Sequence, residues 1–508
     1  MSGEAPAAPV APSAAAPTES AAKTVGRGVM FIGFAKVFFM LAGAAQRIFL
    51  ARLITPADMG DFSTVNSLLN VPNNTVVQGT IQAVSKPTAE DDARAGAVQR
   101  AGLRLGVLLG LLIAGGLFAS ATLVANTYRT PRLTAFVRIA ALIPFIYAIY
   151  SVFVGSANGL RRFRTQATFD VTFSTMKTVL LLGLALVWGV GGAFAGFVAA
   201  AAAIVVIAAR AMRLPAGGQH FAVRRFAGFM GAVVVYTALL NYIFNFDQLL
   251  LRKFALQVPG IDPVTAAALA GNYEALRTIA LLPYQALLVV TFVIFPLVSR
   301  ATFAADREAT RAYVSQTMRY ALMLAGAMAI VLAARPSALF GIVYKPEYRV
   351  GVPALPILAA AECSLALLSV ACSILNASGR ALASLVIMGA TAALMSAGMA
   401  ILVPRATAGA PMLIAAATAT AVATVSGLLA ALVVLRTRLG GMPPLATVAR
   451  VALALAAAWL AARVVPGHGK IVGLAVMALT GITYLVVLLV TREFGPEDRA
   501  KFAKVFRR

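Results

Sequence analysis

The stretch GDFSTVNSLLNVPNNTVVQGTIQ, Gly60 to Gln82, is answered later in the chain by GNYEALRTIALLPYQ, Gly271 to Gln285. Each opens on a glycine, then an acid or amide, then an aromatic, and each carries a proline twelve positions after that glycine, Pro72 and Pro283. Two more echoes follow in the same order at nearly the same offset. Gly155-Ser-Ala-Asn-Gly-Leu-Arg161 pairs with Asn376-Ala-Ser-Gly-Arg380, and Gly191-Gly-Ala-Phe-Ala195 pairs with Ala408-Gly-Ala-Pro411. Ordered echoes at one offset predict an internal duplication.

The duplicated segments lie in a chain of 508 residues that is 60% apolar and 12% charged, with mean hydropathy +0.87. Soluble domains sit nearer half apolar and a quarter charged, so a soluble enzyme, a disordered chain and a collagen-like chain are excluded. The net charge of +25 sits in gaps between apolar runs, the pattern of membrane loops, and nucleic acid is not an expected partner. Spans need about 20 apolar residues, and about fourteen such runs are legible, from 28–50 to 470–491. The expected fold is an all-α integral membrane protein of about 14 transmembrane helices. Six spans per repeat make two six-helix lobes in parallel orientation, with two C-terminal helices outside the repeat. The expected division is a disordered tail over 1–25, an N-lobe over 26–213, a C-lobe over 214–438, the last two helices over 439–491, and a basic tail over 492–508. With the amino terminus inside, the inner segments hold more than twice the Lys and Arg of the outer ones, which places both termini in the cytoplasm. Cys363 and Cys372 share one apolar run and read as packing residues, and His220 and His468 fall in separate loops. No metal site, cofactor or catalytic residue is expected.

Ionisable groups at bilayer depth cost about 2.5–3.5 kcal/mol each, so those inside spans ask for a reason. Lys36, Arg47, Lys177 and Arg277 are such cations. Lys36 and Arg47 fall on one face of the first span, where salt bridges to acids such as Asp61 or Asp247 are the structural alternative to ligand binding. Asn66, Asn70, Asn74, Gln78 and Gln82 recur at steps of four along the second span, a stripe that lipid would leave unsatisfied. Helix–helix hydrogen bonding needs one or two amides; five point to a wet cavity for a hydroxyl-rich ligand. Asn241 and Asn245 share a face of the seventh span with Gln248 and Arg252, and Gln285 lies in the eighth with Glu274 and Arg277 at i, i+3. Asp170, Asp247, Glu274 and Glu362 are the deep acids, candidates to carry a coupling H⁺ or Na⁺. Cations suit phosphate, amides and aromatic faces suit sugars, and the expected ligand is anionic, hydroxylated and lipid-linked.

The 6 + 6 + 2 plan, the run RLITPADMGDF over 52–62, and Asn245-Phe-Asp-Gln-Leu-Leu250 ahead of Gly271-Asn-Tyr resemble the Wzx-type polysaccharide (O-antigen repeat-unit) flippases. These belong to the multidrug/oligosaccharidyl-lipid/polysaccharide (MOP) exporter superfamily, with lipid II flippases of the MurJ kind and MATE drug exporters as relatives. The resemblance implies outward transfer of an undecaprenyl-pyrophosphate-linked oligosaccharide across a bacterial inner membrane, by alternating access and driven by an ion gradient. Membrane lipids and a polysaccharide polymerase with its chain-length machinery are the partners it implies. It places Lys36, Arg47, Lys177 and Arg277 in a central cationic cavity with the amides of spans two, seven and eight. A MurJ-like lipid II flippase and a MATE-like drug/cation exporter are the alternatives within the superfamily. A membrane glycosyltransferase is the enzyme-class alternative, and the only dense acidic cluster that could serve it, Glu90-Asp-Asp92, reads as a solvated loop.

Overall fold

The computed structural model describes residues 19–214, 224–287, 298, 302, 306–467 and 469–495. The expected tails beyond these bounds, His220, His468 and the far half of the eighth span lie outside the described residues. The described elements are helical throughout. In chain order they are α1 (Glu19–Leu53), α2 (Pro56–Glu90), α3 (Ala95–Thr127), α4 (Leu133–Ala140), α5 (Leu142–Gly159) and α6 (Phe163–Ala211). There follow α7 (Arg224–Ala255), α8 (Pro263–Ala280), α9 (Arg307–Ala334), α10 (Pro336–Val343) and α11 (Leu355–Ala377). The last four are α12 (Ala381–Leu402), α13 (Ala410–Leu439), α14 (Leu445–Val464) and α15 (Lys470–Val490). A 3₁₀ segment, Pro346–Ala354, leads into α11.

Ten segments of the described chain are long and apolar enough to cross a membrane. The helix over Phe163–Ala211 counts once among them, yet it breaks at Trp188 and at Gly189, whose φ of +57° belongs to the left-handed region that favours glycine. The chain folds back there, and the two arms touch. A Cβ on Gly192 would lie 2.0 Å from the Leu184 carbonyl oxygen, and one on Gly196 would lie 2.2 Å from that of Leu180. Helices α2 and α8 are not among the ten; along their described lengths they carry amides and ions of the interior. Outward faces are apolar where bilayer is the solvent: Leu108, Leu111, Leu112 and Phe118 of α3 are all more than half exposed.

The duplicated glycines meet. Helices α2 and α8 both start on a capped turn with proline at the first position: the Thr55 hydroxyl accepts the Asp58 N–H, and the Asp262 carboxylate accepts the Thr265 N–H. One to two turns further they cross backbone to backbone. A Cβ on Gly60 would lie 1.8 Å from the Ala267 carbonyl oxygen, and one on Gly271 would lie 1.9 Å from that of Pro56. Equivalent elements that touch each other lie beside the axis relating the repeats. Around this crossing the Arg52 guanidinium donates to the carbonyls of Ile342 and Val343, and the Tyr348 hydroxyl donates to that of Ile54. The largest apolar core runs from α1–α6 through α8 into α10 and the start of α11, so the halves share one core at this end.

Candidate functional site

Helices α1, α2, α5 and α6, with Gln285 from the turn beyond α8, enclose a cavity of about 280 Å³. Arg47 and Lys177 are its cations, and no carboxylate lines it. Asn66, Asn70 and Asn74 enter from α2 because a step of four keeps them on one face. Gln78 and Gln82, further along the same series, are exposed and stand outside the wall. The stripe therefore divides into a cavity-lining half and an outer half. Aromatic faces complete the wall: Phe39, Phe62, Tyr147 and Phe197, with the Lys177 ammonium 4.4 Å from the Phe197 ring centroid.

Two of the α2 amides also close the cavity against α7. The Asn70 amide donates to Asn245 Oδ1 at 3.0 Å, and the Asn74 amide donates to Asn241 Oδ1 at 2.7 Å. Asn245 and Asn241 in turn donate to the carbonyls of Asn241 and Thr237. The seventh-span amides predicted from sequence thus meet those of the second span, and each pair ties one half of the chain to the other.

Carboxylates pair with three of the four span cations. Lys36 Nζ lies 2.9 Å from Asp170 Oδ2, and Arg47 Nη1 lies 3.8 Å from Glu274 Oε1. The acids suggested for these two, Asp61 and Asp247, have other partners: Arg252 and Arg132 hold Asp61, and Arg277 holds Asp247. The resemblance implies a cavity role for Arg277, but in the fold it is not on the wall and stands among three carboxylates. Asp247 is 3.3 Å from it, Glu274 3.6 Å and Glu362 4.0 Å, all with nearly complete burial. Among the described residues Glu362 has this long contact alone, and its Oε2 has no hydrogen-bond partner. Counting Arg47, two guanidiniums face three carboxylates, so the cluster holds one acid in excess.

A second buried pair lies near the α2–α8 crossing. Arg252 Nη2 sits 2.7 Å from Asp61 Oδ1, both fully buried, while Arg252 also donates to the hydroxyls of Thr64 and Thr130. Its guanidinium lies over the Tyr128 ring at 5.1 Å. Arg132 joins Asp61 to Asp58 from outside. Gln248, one turn before Arg252, donates to the Ser63 carbonyl and the Ser67 hydroxyl.

Three polar wall residues escaped the sequence reading, as did Phe39 and Phe197. Gln46 precedes Arg47 and reads as part of a helix end; Asn73 lies off the step-of-four series; Tyr147 sits in an apolar run. A signal existed for Asn73 alone, since Asn73-Asn74 beside Pro72 is unusual within a span. Cys363 and Cys372 are buried and unbridged, as their apolar setting predicted.

The comparisons with known proteins fall in line with this geometry. A family profile described as polysaccharide biosynthesis protein matches residues 49–353. The fold is similar to that of the lipid II flippase MurJ in an inward closed conformation, with TM-score 0.73 at 11% identity, covering 91% of this chain and 99% of that one. It is similar to an inward-facing multidrug resistance MATE family transporter of the MOP superfamily, with TM-score 0.64 at 16% identity over 79% of this chain and 94% of that one. A MOP superfamily transporter from Pyrococcus furiosus, described by the reverse polarity of its binding pocket, gives 0.60 at 16% over 82% and 96%. No curated protein matches the chain in sequence. At such identities the solved structures speak for the fold, and the profile, which spans more than half of the sequence, speaks for the family. The chain is a multi-pass membrane protein with the MOP transporter fold, and it belongs to the polysaccharide biosynthesis protein family.

Proposed function

We propose that this protein is a flippase that carries an undecaprenyl-pyrophosphate-linked oligosaccharide repeat unit from the cytoplasmic to the outer leaflet of a bacterial inner membrane. The observation that carries the reading is the cavity wall: two cations, a row of amides, four aromatic faces and no carboxylate. Arg47 and Lys177 suit the diphosphate, because cations in a water-poor site retain their attraction for phosphate oxygens. Asn66, Asn70, Asn74 and Gln285 suit sugar hydroxyls, with Asn241 and Asn245 released to them when the α2–α7 amide pairs part. A drug or organic cation would meet like charge in this wall. Lys36 and Gln78 lie on α1 and α2 outside it, where a ligand entering between the helices meets them.

The carboxylate cluster supports the coupling role. An excess acid at bilayer depth favours uptake of a proton or Na⁺, and Glu362 is the member with the least compensation. Since Glu274 reaches both Arg277 and Arg47, a cation bound there alters the charge available to the cavity. The two lobes, 26–213 and 214–438, would rock about the α2–α8 crossing, with the softened turns at Pro72 and Pro283 absorbing the change. The basic bias of alternate segments supports cytoplasmic termini.

Deletion of the gene tests the reading. Lipid-linked oligosaccharide should accumulate in the cytoplasmic leaflet while surface polysaccharide is lost, and its mass identifies the cargo. Complementation by Arg47→Ala or Lys177→Ala should restore less than a tenth of export at normal protein level. Build-up on the outer leaflet would assign the protein to polymerisation, and full export by both variants would overturn the cationic cavity.

A further inference from the structure

Away from the central cavity, four arginines converge on a second hollow at the end of the molecule where α9 begins and α13 finishes. Arg307 and Arg311 come from the first turns of α9, Arg380 from the turn between α11 and α12, and Arg438 from the last turn of α13. With Thr437 they line a space of about 670 Å³. One carboxylate borders it, Asp306, and that side chain is already engaged as the cap of α9, accepting the Ala309 N–H at 2.8 Å. None of the four arginines makes an ion pair among the described residues.

Part of this arrangement works against helix α9, although Glu308 in its first turn favours it. A cation in the first turn meets the positive end of the helix dipole, and Arg307 and Arg311 stand at i, i+4, where like charges oppose the helix. Only Arg438, beside the terminal carbonyls of α13, is placed where helix electrostatics favour it. Backbone geometry nevertheless draws the groups together. Gly440 ends α13 at φ +69°, and a Cβ on the next residue, Gly441, would lie 3.1 Å from the Arg311 carbonyl oxygen. Membrane topology asks for basic residues in loops on the cytoplasmic side, but it does not ask for four guanidiniums around one hollow. All four are arginine, whose planar forks match the oxygens of phosphate, and a phosphate dianion offsets the charge that the capping Asp306 leaves over.

We propose that this pocket is a phosphate-binding site separate from the central cavity, occupied by the phosphate of a lipid headgroup at the membrane surface or by a soluble diphosphate. The proposal stands on the pocket alone and does not require the flippase reading. Two probes separate the sources. Full-length protein in phosphatidylcholine nanodiscs is titrated with radiolabelled inorganic pyrophosphate, and protein in nanodiscs containing phosphatidylglycerol is released for native mass spectrometry to count retained lipid. Wild type is compared with Arg311→Gln/Arg380→Gln, with Arg307→Gln/Arg438→Gln, and with the cavity variant Arg47→Ala/Lys177→Ala. Both pocket variants are expected to elute as wild type does. They are expected to lose about tenfold in affinity for one probe, while the cavity variant keeps that component. Loss with pyrophosphate alone assigns the soluble source, and loss of retained phosphatidylglycerol assigns the headgroup. Binding of both probes by either folded pocket variant at wild-type strength, or loss of all binding in the cavity variant alone, would overturn the site.

Discussion

Arg277 shows how burial changes the meaning of a residue. In the sequence it is a cation inside a span, the type of residue a phosphate ligand requires. In the fold it is the common partner of Asp247, Glu274 and Glu362, which come from three different helices. Removing one partner of a buried ionic group leaves the others uncompensated, at about 3–5 kcal/mol. Arg277→Ala is therefore expected to lower the yield of folded protein, measured by fluorescence-detected size-exclusion chromatography in detergent. Adding Glu362→Gln, which removes the excess charge, is expected to recover part of it. Normal yield of Arg277→Ala with export abolished would return Arg277 to the ligand. The Glu274–Arg277 pair was legible from its i, i+3 spacing; Asp247 and Glu362 were not, because nothing local in a sequence states which helix will pack on which. Lys36 illustrates the same limit. Its depth in the first span is plain, but its partner Asp170 lies five helices' worth of chain away and becomes its neighbour only when α1 packs on α6.

Among the elements, α2 carries the most readable information. Its step-of-four amides, its proline and its opening glycine all appear in the sequence, and the structure uses the amides and the glycine. The amides line the cavity and bind α7, and the glycine permits the crossing with α8. The half of the stripe that turns outward, Gln78 and Gln82, was not separable by spacing, since a step of four drifts slowly around the helix while the cavity wall ends abruptly. The crossing itself yields a prediction. A Cβ at Gly60 or Gly271 meets backbone, which cannot move aside as a side chain can, so the two helices must separate. Gly60→Ala and Gly271→Ala are each expected to hold this end of the molecule open. The reporter is Ala44→Cys on the cavity wall, labelled by an impermeant maleimide from the face where α2 begins. Labelling about tenfold faster than in the parent, with transport lost, is the expected outcome. Unchanged labelling would mean that the crossing does not govern access.

For the whole molecule, two six-helix lobes leave α14 and α15 to be explained. They form their own small core with α9, through Met323, Ile330, Val451, Ala454 and Tyr484. One residue just past α15 ties them to the second half of the repeat. Glu493 accepts from Arg319 of α9 at 2.7 Å, and from Thr447 and Arg450 of α14 at 2.6 and 2.8 Å. Burial alone would raise its carboxyl, but the three donors outweigh it and hold the group below the ordinary glutamate value. A carboxyl depressed in the folded state binds fewer protons there than when unfolded. Its contribution to stability is complete above the unfolded value and disappears as pH falls through the folded one. Glu493→Gln is thus expected to lower the thermal midpoint by several degrees at neutral pH, and the difference from wild type should shrink on acidification. Other carboxylates titrate in both proteins, so the difference between the two curves isolates this one. Thermal unfolding in detergent across that range measures it. A constant difference at every pH would show that Glu493 acts by shape alone. A difference that shrinks would show that charge clasps the last two helices to the second half of the chain through Arg319.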